Sequence, residues 1–240
     1  VIAQRWLHWS FGYILPLSSR GPAWFSGWIT RCRGRISHWL DADWRTLVHH
    51  DQELKRRTAR AFSELEFQAP QALVRERYVA QAHEEWVSER VSLHTLSAPV
   101  RFSSHILDRI RLIPADQGIL FVTIHWGEST VGSAFLGALG RSTCVMMSRF
   151  VESDAMPAPL RRHYKAKYGA MTAQLSPGQC LAIEDGIRPF VRHLSNGGAV
   201  AMTVDIPDLS KSGITEYWFG RACQLSAGFR HLEARTKSTV

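Results

Sequence analysis

Apolar and aromatic residues recur at roughly helical spacing through the first hundred positions of the chain. Segments 6–17 and 23–39 are apolar and aromatic, whereas segments 51–67 and 72–91 mix charged with apolar residues. A period near 3.6 residues is the pattern of helices that bury one face. The sequence therefore predicts that residues 1–105 form a helical, aromatic-rich region.

The pattern changes after Asp108, where short apolar runs alternate with longer amphipathic segments. Such runs, bounded by glycine or polar residues, are typical of buried strands. Strands that alternate with helices indicate an α/β sheet, which we expect within residues 106–240. The predicted strands are 119–124, 143–147 and 199–204, and the predicted helices are 129–139, 158–168, 184–194 and 227–235.

Three polar residues follow the three predicted strands: His125, Arg149 and Asp205. In α/β sheets, binding and catalysis concentrate beyond the carboxyl ends of the strands. A histidine there can act as a general base near neutral pH, provided that a carboxylate orients its ring. Glu128 is the nearest candidate along the chain. The simpler interpretations are a hydrogen-bonded turn for His125, a salt bridge at the rim of the sheet for Arg149, and a cap or turn for Asp205.

Composition adds an expected partner. Five of the nine tryptophans lie in the first forty residues, which fits either a membrane interface or a helical cap packed with large rings. The net charge of +8 favours an anionic partner, such as a lipid surface or an acidic carrier protein. Nucleic acid has only this charge in its favour, because the sequence contains no RNP motif, zinc finger or basic leucine-zipper pattern. We expect an anionic membrane surface and no nucleic acid.

The spacing of the cysteines and the N-terminal sequence limit the classes of protein that remain possible. Cys32, Cys144, Cys180 and Cys223 form no CxxC pair, so we expect neither a zinc ribbon nor a redox pair. No secretory signal peptide is visible, and the uncharged stretch 6–19 is too short to span a bilayer. Because the chain begins with Val1, we expect either peripheral attachment or an anchor in a missing upstream segment.

The segment around His125 carries a family resemblance. An apolar strand followed by His125-Trp126-Gly127-Glu128-Ser129-Thr130 resembles the first motif of the lipid A biosynthesis (lauroyl/myristoyl) acyltransferases, members of the glycerolipid acyltransferase superfamily. Their pattern is His-x-Gly-Asn-Trp-Glu. The histidine and the glycine match, but the acid of the family falls on Thr130, which cannot serve as a carboxylate.

Further motifs follow in the order that the family has them. Arg149 follows the second strand, and segment 189–200 resembles the helix, glycine turn and strand that lead to an aspartate, here Asp205. Segments 218–220 and 226–236 resemble a phenylalanine-glycine motif at Gly220 and a helix that starts at Gly228. The resemblance covers residues 118–240. It implies a glycerolipid-acyltransferase-like α/β fold, in which a helical N-terminal part precedes a mixed sheet flanked by helices, with the C-terminal strands and helix of the family absent.

The resemblance also implies an activity. An acyl group would pass from acyl carrier protein or coenzyme A to a hydroxyl of a lipid or glycolipid, as in lipid A and lipopolysaccharide biosynthesis at the cytoplasmic face of the inner membrane. His125 would be the general base, with Glu128 or Asp205 in place of the missing acid. Gly127 and Arg149 would bind the oxyanion or an acceptor phosphate, and Asp205, Gly220 and Gly228 would support the site. No cofactor and no metal are expected.

Four alternatives remain open. One is a degenerate homologue that has lost the acid and binds lipid without any chemistry, and another is a purely structural membrane-binding protein. The run from Gly127 to Gly132 nearly spells the nucleophile elbow G-x-S-x-G with Ser129 as nucleophile, although Val131 stands where a small residue is needed. His125 and Glu128 have a spacing that suits helical metal ligands, but no second pair accompanies them.

Overall fold

The computed structural model describes residues 2–48, 53–94, 103–125, 129–175, 177–205, 213–218 and 220–240. The chain forms two compact units. The first comprises Val1–Ser97 and Phe150–Gly169, and the second comprises Ala98–Arg149 and Ala170–Val240. The sequence-based division at residues 105 and 106 differs from this one mainly in residues 150–169, which belong to the helical unit because their apolar side chains pack in its core.

The first unit is helical throughout its described residues. Its largest core joins the N-terminal helices to Trp44, Trp86 and the segment 151–164. Burial of these apolar side chains is the main force that holds the helices together. The helices are α1 (Ile2–Trp9), α2 (Leu15–Arg20), α3 (Ala23–Trp39), α4 (Trp44–Val48), α5 (Leu54–Glu64), α6 (Pro70–Ser92) and most of α9 (Ala158–Gln174).

One wide turn of π-helix, Ser10–Ile14, separates α1 from α2. Pro16 lies just beyond it and has no N–H to donate to the carbonyl of Gly12, so the regular hydrogen-bond ladder cannot continue there. The predicted helix over 6–17 is therefore confirmed as helical, and it extends over 2–20 with this interruption. The Trp6 indole N–H donates to Ser37 Oγ at 2.9 Å, which ties α1 to the far end of α3.

The second unit is built on a four-stranded parallel sheet with the strand order β1-β4-β2-β3. Apolar side chains alternate between its two faces, as the two-residue period of a strand requires. Phe190, Leu194 and Leu232 cover the face that carries Leu120 and Val200, whereas Leu136 and Leu175 cover the face that carries Ala201. The elements are α7 (Ser104–Arg111), β1 (Ile119–Thr123), α8 (Ser129–Ala138), β2 (Thr143–Met147), β3 (Gln179–Ala182), α10 (Arg188–Ser195), β4 (Ala199–Thr203) and α11 (Gly228–Thr236).

The expected α/β class is confirmed, but the expectation of one mixed sheet is corrected. The four strands of the main sheet are all parallel, because a helix connects each strand to the next along the chain. The antiparallel pair is a separate hairpin of β5 (Ile214–Trp218) and β6 (Arg221–Leu225). On the outer side of β1, the N–H of Leu120 donates to the carbonyl of Thr239.

Several predicted bounds change. The predicted helix over 184–194 begins later, at Arg188, because a 3-10 turn at Ile183–Asp185 is followed by Gly186 with a φ of 84°. The predicted basic helix over 158–168 continues to Gln174. Strands β1, β2 and β4 match the three predicted strands to within one residue.

No helix in the described parts of the chain is both long and apolar enough to cross a membrane.

Candidate functional site

The carboxyl ends of the four parallel strands bring polar residues to one edge of the sheet, here called the carboxyl edge. His125 lies two residues beyond β1, and Asp205 lies two residues beyond β4. Because β1 and β4 pair in parallel with Thr123 opposite Thr203, the two residues are carried forward side by side. The N–H of Val204 donates to the carbonyl of Thr123 at 2.9 Å, which extends the pairing past the strands.

His125 and Asp205 form a two-point contact at this edge. Oδ1 of Asp205 lies 2.8 Å from Nδ1 of His125, and its Oδ2 accepts the backbone N–H of His125 at 2.9 Å. The aspartate side chain is 21% exposed and the histidine side chain 62% exposed. The carboxylate is therefore held in place on both oxygens, while the imidazole ring reaches into solvent.

This geometry determines which imidazole nitrogen can act as a base. A carboxylate only accepts hydrogen bonds, so Nδ1 carries the hydrogen and Nε2 keeps its lone pair. If Nε2 takes a proton, the adjacent carboxylate stabilises the positive ring. The pair can therefore remove a proton from a hydroxyl that approaches Nε2, provided that the hydroxyl comes within hydrogen-bond reach.

Position 130, where the resembled family has its acid, lies in the interior. Thr130 is fully buried in the first turn of α8, and Ser133 Oγ donates to its carbonyl at 2.8 Å. Ser129 begins the same helix and is exposed. A side chain at position 130 points away from solvent, so the carboxylate that orients His125 comes instead from the neighbouring strand.

Arg149 forms an ion pair at the carboxyl edge. Its Nη2 lies 2.5 Å from Oδ1 of Asp185, and its backbone N–H donates to Oε1 of Glu184 at 3.0 Å. The predicted alternative for Arg149, a salt bridge at the rim of the sheet, is therefore present. Its expected part in binding an oxyanion or a phosphate remains a prediction.

Glu184, which follows β3, accepts hydrogen bonds from two residues that follow β2. Ser148 Oγ donates to its Oε1 at 2.6 Å. Partial burial raises the pKa of the Glu184 carboxyl, but the hydrogen bonds from Ser148 and from backbone N–H groups, together with the charge of Arg149, lower it by more. The net pKa is below the ordinary glutamate value, so this residue is an anion at neutral pH.

The other predicted site residues lie elsewhere or outside the described residues. Gly127 and Glu128 fall in the segment 126–128, which lies outside them. Gly220 has a φ of 76° in the turn between β5 and β6, a conformation that favours glycine. Gly228 begins α11, where a Cβ would make only ordinary contact with Met202. The turn therefore explains the glycine at position 220, whereas no local contact or backbone angle requires one at position 228.

Sequence reasoning missed the acidic pair Glu184 and Asp185, because it overlooked β3. That strand has only four residues, Gln179–Ala182, and the sequence pattern places the acidic pair in the predicted helix over 184–194. A useful signal was present: Gly178 and Gly186 bracket a short apolar run that ends in two acids. A polar pair directly after such a run is the same pattern that identified His125 and Asp205.

Among the described residues, no group of three or more histidine, cysteine, aspartate or glutamate side chains is arranged to hold a metal ion. Comparison with known proteins found no matching protein-family model and no matching curated protein.

Proposed function

We propose that this chain is an acyltransferase in which His125, oriented by Asp205, is the general base. The observation that carries the proposal is the contact between Nδ1 of His125 and Oδ1 of Asp205, which leaves Nε2 as the basic nitrogen of a side chain that is 62% exposed. A histidine and carboxylate in this relation activate hydroxyl groups. The resemblance of segments 119–132 and 189–205 to lipid acyltransferases supplies the reaction class.

The proposed reaction is a direct transfer. Nε2 of His125 removes the proton from a hydroxyl of a lipid or glycolipid, and the oxygen attacks the carbonyl of a thioester donor, an acyl carrier protein or coenzyme A. A C–O bond forms and the C–S bond breaks. The protonated imidazole then returns its proton to the leaving thiolate. Because the acceptor oxygen attacks the thioester directly, no acyl-enzyme forms, and the step needs no cofactor. Asp205 stabilises the positive ring between these two steps.

Asp205 takes the role that the resembled family gives to an acid within its first motif. Glu128 is the other candidate for that role. The two oxygens of Asp205 already bind Nδ1 and the backbone N–H of His125, which favours Asp205. Arg149 would bind a phosphate of the acceptor or the oxyanion, exchanging its contact with Asp185 for one with substrate. A lipid or glycolipid acceptor implies that the enzyme acts at an anionic membrane surface, as in lipid A biosynthesis at the inner membrane.

The direct test is transfer of a radiolabelled acyl group from acyl carrier protein or coenzyme A to a lipid extract. We expect ester formation by the wild-type chain, with kcat/KM about 10² to 10⁴-fold lower in His125→Ala, the usual contribution of a general base. His231→Ala is the matched control, because His231 is an exposed histidine on α11 of the same unit. It should transfer at the wild-type rate.

Other outcomes contradict the proposal in recognisable ways. Labelling of Ser129 by a fluorophosphonate, with ester hydrolysis that is lost in Ser129→Ala, would identify a serine hydrolase. Lipid binding by the wild-type chain without transfer from either donor would identify a binding protein that lacks catalysis. Transfer that survives in His125→Ala would exclude His125 as the base.

A further inference from the structure

Helix α3 has its polarity inverted relative to an ordinary surface helix. The residues that it buries against the protein are small or polar, namely Ser26, Thr30, Arg33 and Gly34. Its three tryptophans point outward instead: Trp24 and Trp39 are each 79% exposed, and Trp28 is 62% exposed. A surface helix normally buries its apolar stripe, so an outward row of tryptophan marks a surface that binds something.

The outward residues form a single stripe along α3. Trp24, Trp28, Arg31, Arg35 and Trp39 are exposed and follow one another at intervals of three or four residues, which places them on one side of a helix. We call this stripe the tryptophan face. At 1.5 Å per residue, it runs for roughly 22 Å. Its two arginines lie between the tryptophans along the same side.

The formal charge of the segment that carries the tryptophan face has one sign. Residues 1–40 contain five arginines and no aspartate or glutamate. Arg33 points inward and pairs with the buried Glu85 at 2.6 Å, whereas Arg31 and Arg35 are exposed. Exposed arginines on α5 differ, because Arg56 contacts Glu53 at the start of that helix and Arg60 contacts Glu64 at its end. The tryptophan face is therefore cationic as well as apolar.

The neighbouring helices add apolar surface of the same kind. Along α1, the π turn and α2, the exposed large side chains include Trp9, Tyr13 and Leu17. These positions are again spaced four residues apart. Trp6 donates to Ser37 and Ser26 donates to the carbonyl of Ser18, so α3 runs antiparallel to the segment that precedes it and the aromatic residues belong to one helical hairpin.

We infer that the tryptophan face docks onto a membrane surface that contains anionic lipids. Indole rings prefer the headgroup level, because they are apolar and also carry an N–H, and guanidinium groups bind lipid phosphates. A helix that lies in the plane of the interface satisfies both at once. A second copy of the chain fits less well, because a symmetric contact would place Arg31 and Arg35 against the same cations of the other copy. The inference is independent of the proposed acyl transfer, since His125 and Asp205 belong to the other unit.

The test is cosedimentation of the chain with vesicles of phosphatidylcholine alone or with about 30% phosphatidylglycerol. Wild type should bind the anionic vesicles more tightly. Arg31→Gln with Arg35→Gln should weaken that binding roughly 10- to 30-fold and change binding to neutral vesicles little. Trp24→Ala with Trp28→Ala and Trp39→Ala should weaken binding to both vesicles by about tenfold or more, because the inserted apolar area is lost.

The matched control is Arg56→Gln with Arg60→Gln, which removes the same charge at the same spacing from α5. It should change vesicle binding by less than about twofold. An equal loss in this control would mean that net charge alone is responsible, and the inference would fail. It would also fail if wild type bound neither vesicle. Light scattering provides the third check: a wild-type dimer that dissociates in the triple tryptophan variant would identify the face as a contact between copies. All substituted side chains are exposed, and circular dichroism verifies the fold.

Discussion

At the scale of single residues, the burial of Thr130 explains how the site differs from the pattern that it resembles. A carboxylate at position 130 would enter an interior where Thr130 is fully buried beside Ser133. An ionised group in such a place is costly unless a cation or several hydrogen-bond donors meet it. Asp205 avoids this cost, because its side chain is partly exposed and both of its oxygens have donors.

Thr130→Glu should therefore destabilise the protein rather than restore a family motif. We expect the free energy of unfolding to fall by roughly 3 kcal/mol or more, because a fully buried position must admit a larger and ionised side chain. Urea unfolding followed by circular dichroism measures the change. Ser129→Glu is the matched control: it adds the same group one residue earlier, at an exposed position, and should change stability by less than about 0.5 kcal/mol. Equal stability of the two variants would refute the burial argument.

The sequence alone indicated where His125 and Asp205 lie, directly after predicted strands, but it did not indicate that their side chains are in contact. His125 and Asp205 both follow apolar strands, which was visible from the pattern. Their pairing depends on β4 lying beside β1, although β2 and β3 come between them along the chain. Periodicity reports which residues are in strands and not which strands are neighbours, so Asp205 was only one of two candidates for the orienting acid.

At the scale of elements, the packing of α3 against α6 depends on one glycine. A Cβ at Gly34 would lie 2.6 Å from Cα of Val79 and 2.9 Å from the carbonyl oxygen of Tyr78. These are backbone atoms, which cannot turn aside as a flexible side chain does. The two helices approach this closely because position 34 has no side chain.

Gly34→Ala should lower the free energy of unfolding by about 1–3 kcal/mol, since α3 and α6 must separate to admit the methyl group. Gly27→Ala in the same helix is the control, because a Cβ at Gly27 meets no atom within 4 Å. Alanine is the better helix former by about 1 kcal/mol, so this variant should be at least as stable as wild type. Thermal unfolding of both variants measures the difference. A drop in Gly27→Ala as large as that in Gly34→Ala would contradict the close-approach argument.

The junction between α3 and α4 contains a buried carboxylate, Asp43. Nη2 of Arg77 lies 2.7 Å from its Oδ2, and the N–H of Arg45 donates to its Oδ1 at 2.9 Å. Burial raises the pKa of Asp43, but the charges and hydrogen bonds of Arg45 and Arg77 lower it by more, so the net pKa is below the ordinary value. The stabilisation by this carboxylate is therefore present above the pKa of the unfolded chain and is lost as pH falls through the folded value.

Asp43→Asn should lower the free energy of unfolding at pH 7 by about 1–3 kcal/mol, because both arginines lose their anion. The difference from wild type should shrink as pH falls below about 4, where the unfolded chain takes up the proton. Urea unfolding across this range measures it. Asp108→Asn, which removes an exposed carboxylate near Arg111, should change stability little at any pH. A constant difference down to acid pH would contradict the linkage.

Helices and strands that span long, strongly patterned segments could be predicted from the sequence, whereas short or weakly patterned strands could not. Helix α3 was predicted with its observed bounds, Ala23–Trp39, and β2 with its bounds, Thr143–Met147. Strand β3 has four residues, too few to show a period. The β5–β6 hairpin was not predicted either, because its strands mix polar and aromatic residues and most of their described side chains are exposed.

At the scale of the whole molecule, the helical unit is built from two separate stretches of sequence, because Phe150–Gly169 belongs to it as well as Val1–Ser97. Val151, Leu160 and Tyr164 pack with Phe11 and Trp86 in the helical core. A division by composition alone places them with the strands that surround them in sequence. This contact joins segments about 140 residues apart, and long-range pairing of this kind is what local patterns cannot report.

The two proposals concern different units of the chain. The tryptophan face belongs to the helical unit, and the pair of His125 and Asp205 belongs to the α/β unit. Variants of the face should therefore change vesicle binding, whereas variants of the pair should change chemistry. Failure of one proposal leaves the other to be judged by its own measurement.

The measurement that tests the central claim most directly is a double-mutant cycle on acyl transfer with His125→Ala and Asp205→Asn. If Asp205 acts by orienting His125, Asp205→Asn should lower kcat/KM by about 100-fold or more when His125 is present. In the His125→Ala background the same change should cost less than about twofold, because nothing remains to be oriented. An equal loss in both backgrounds, or a wild-type chain that transfers from neither thioester donor, would contradict the claim.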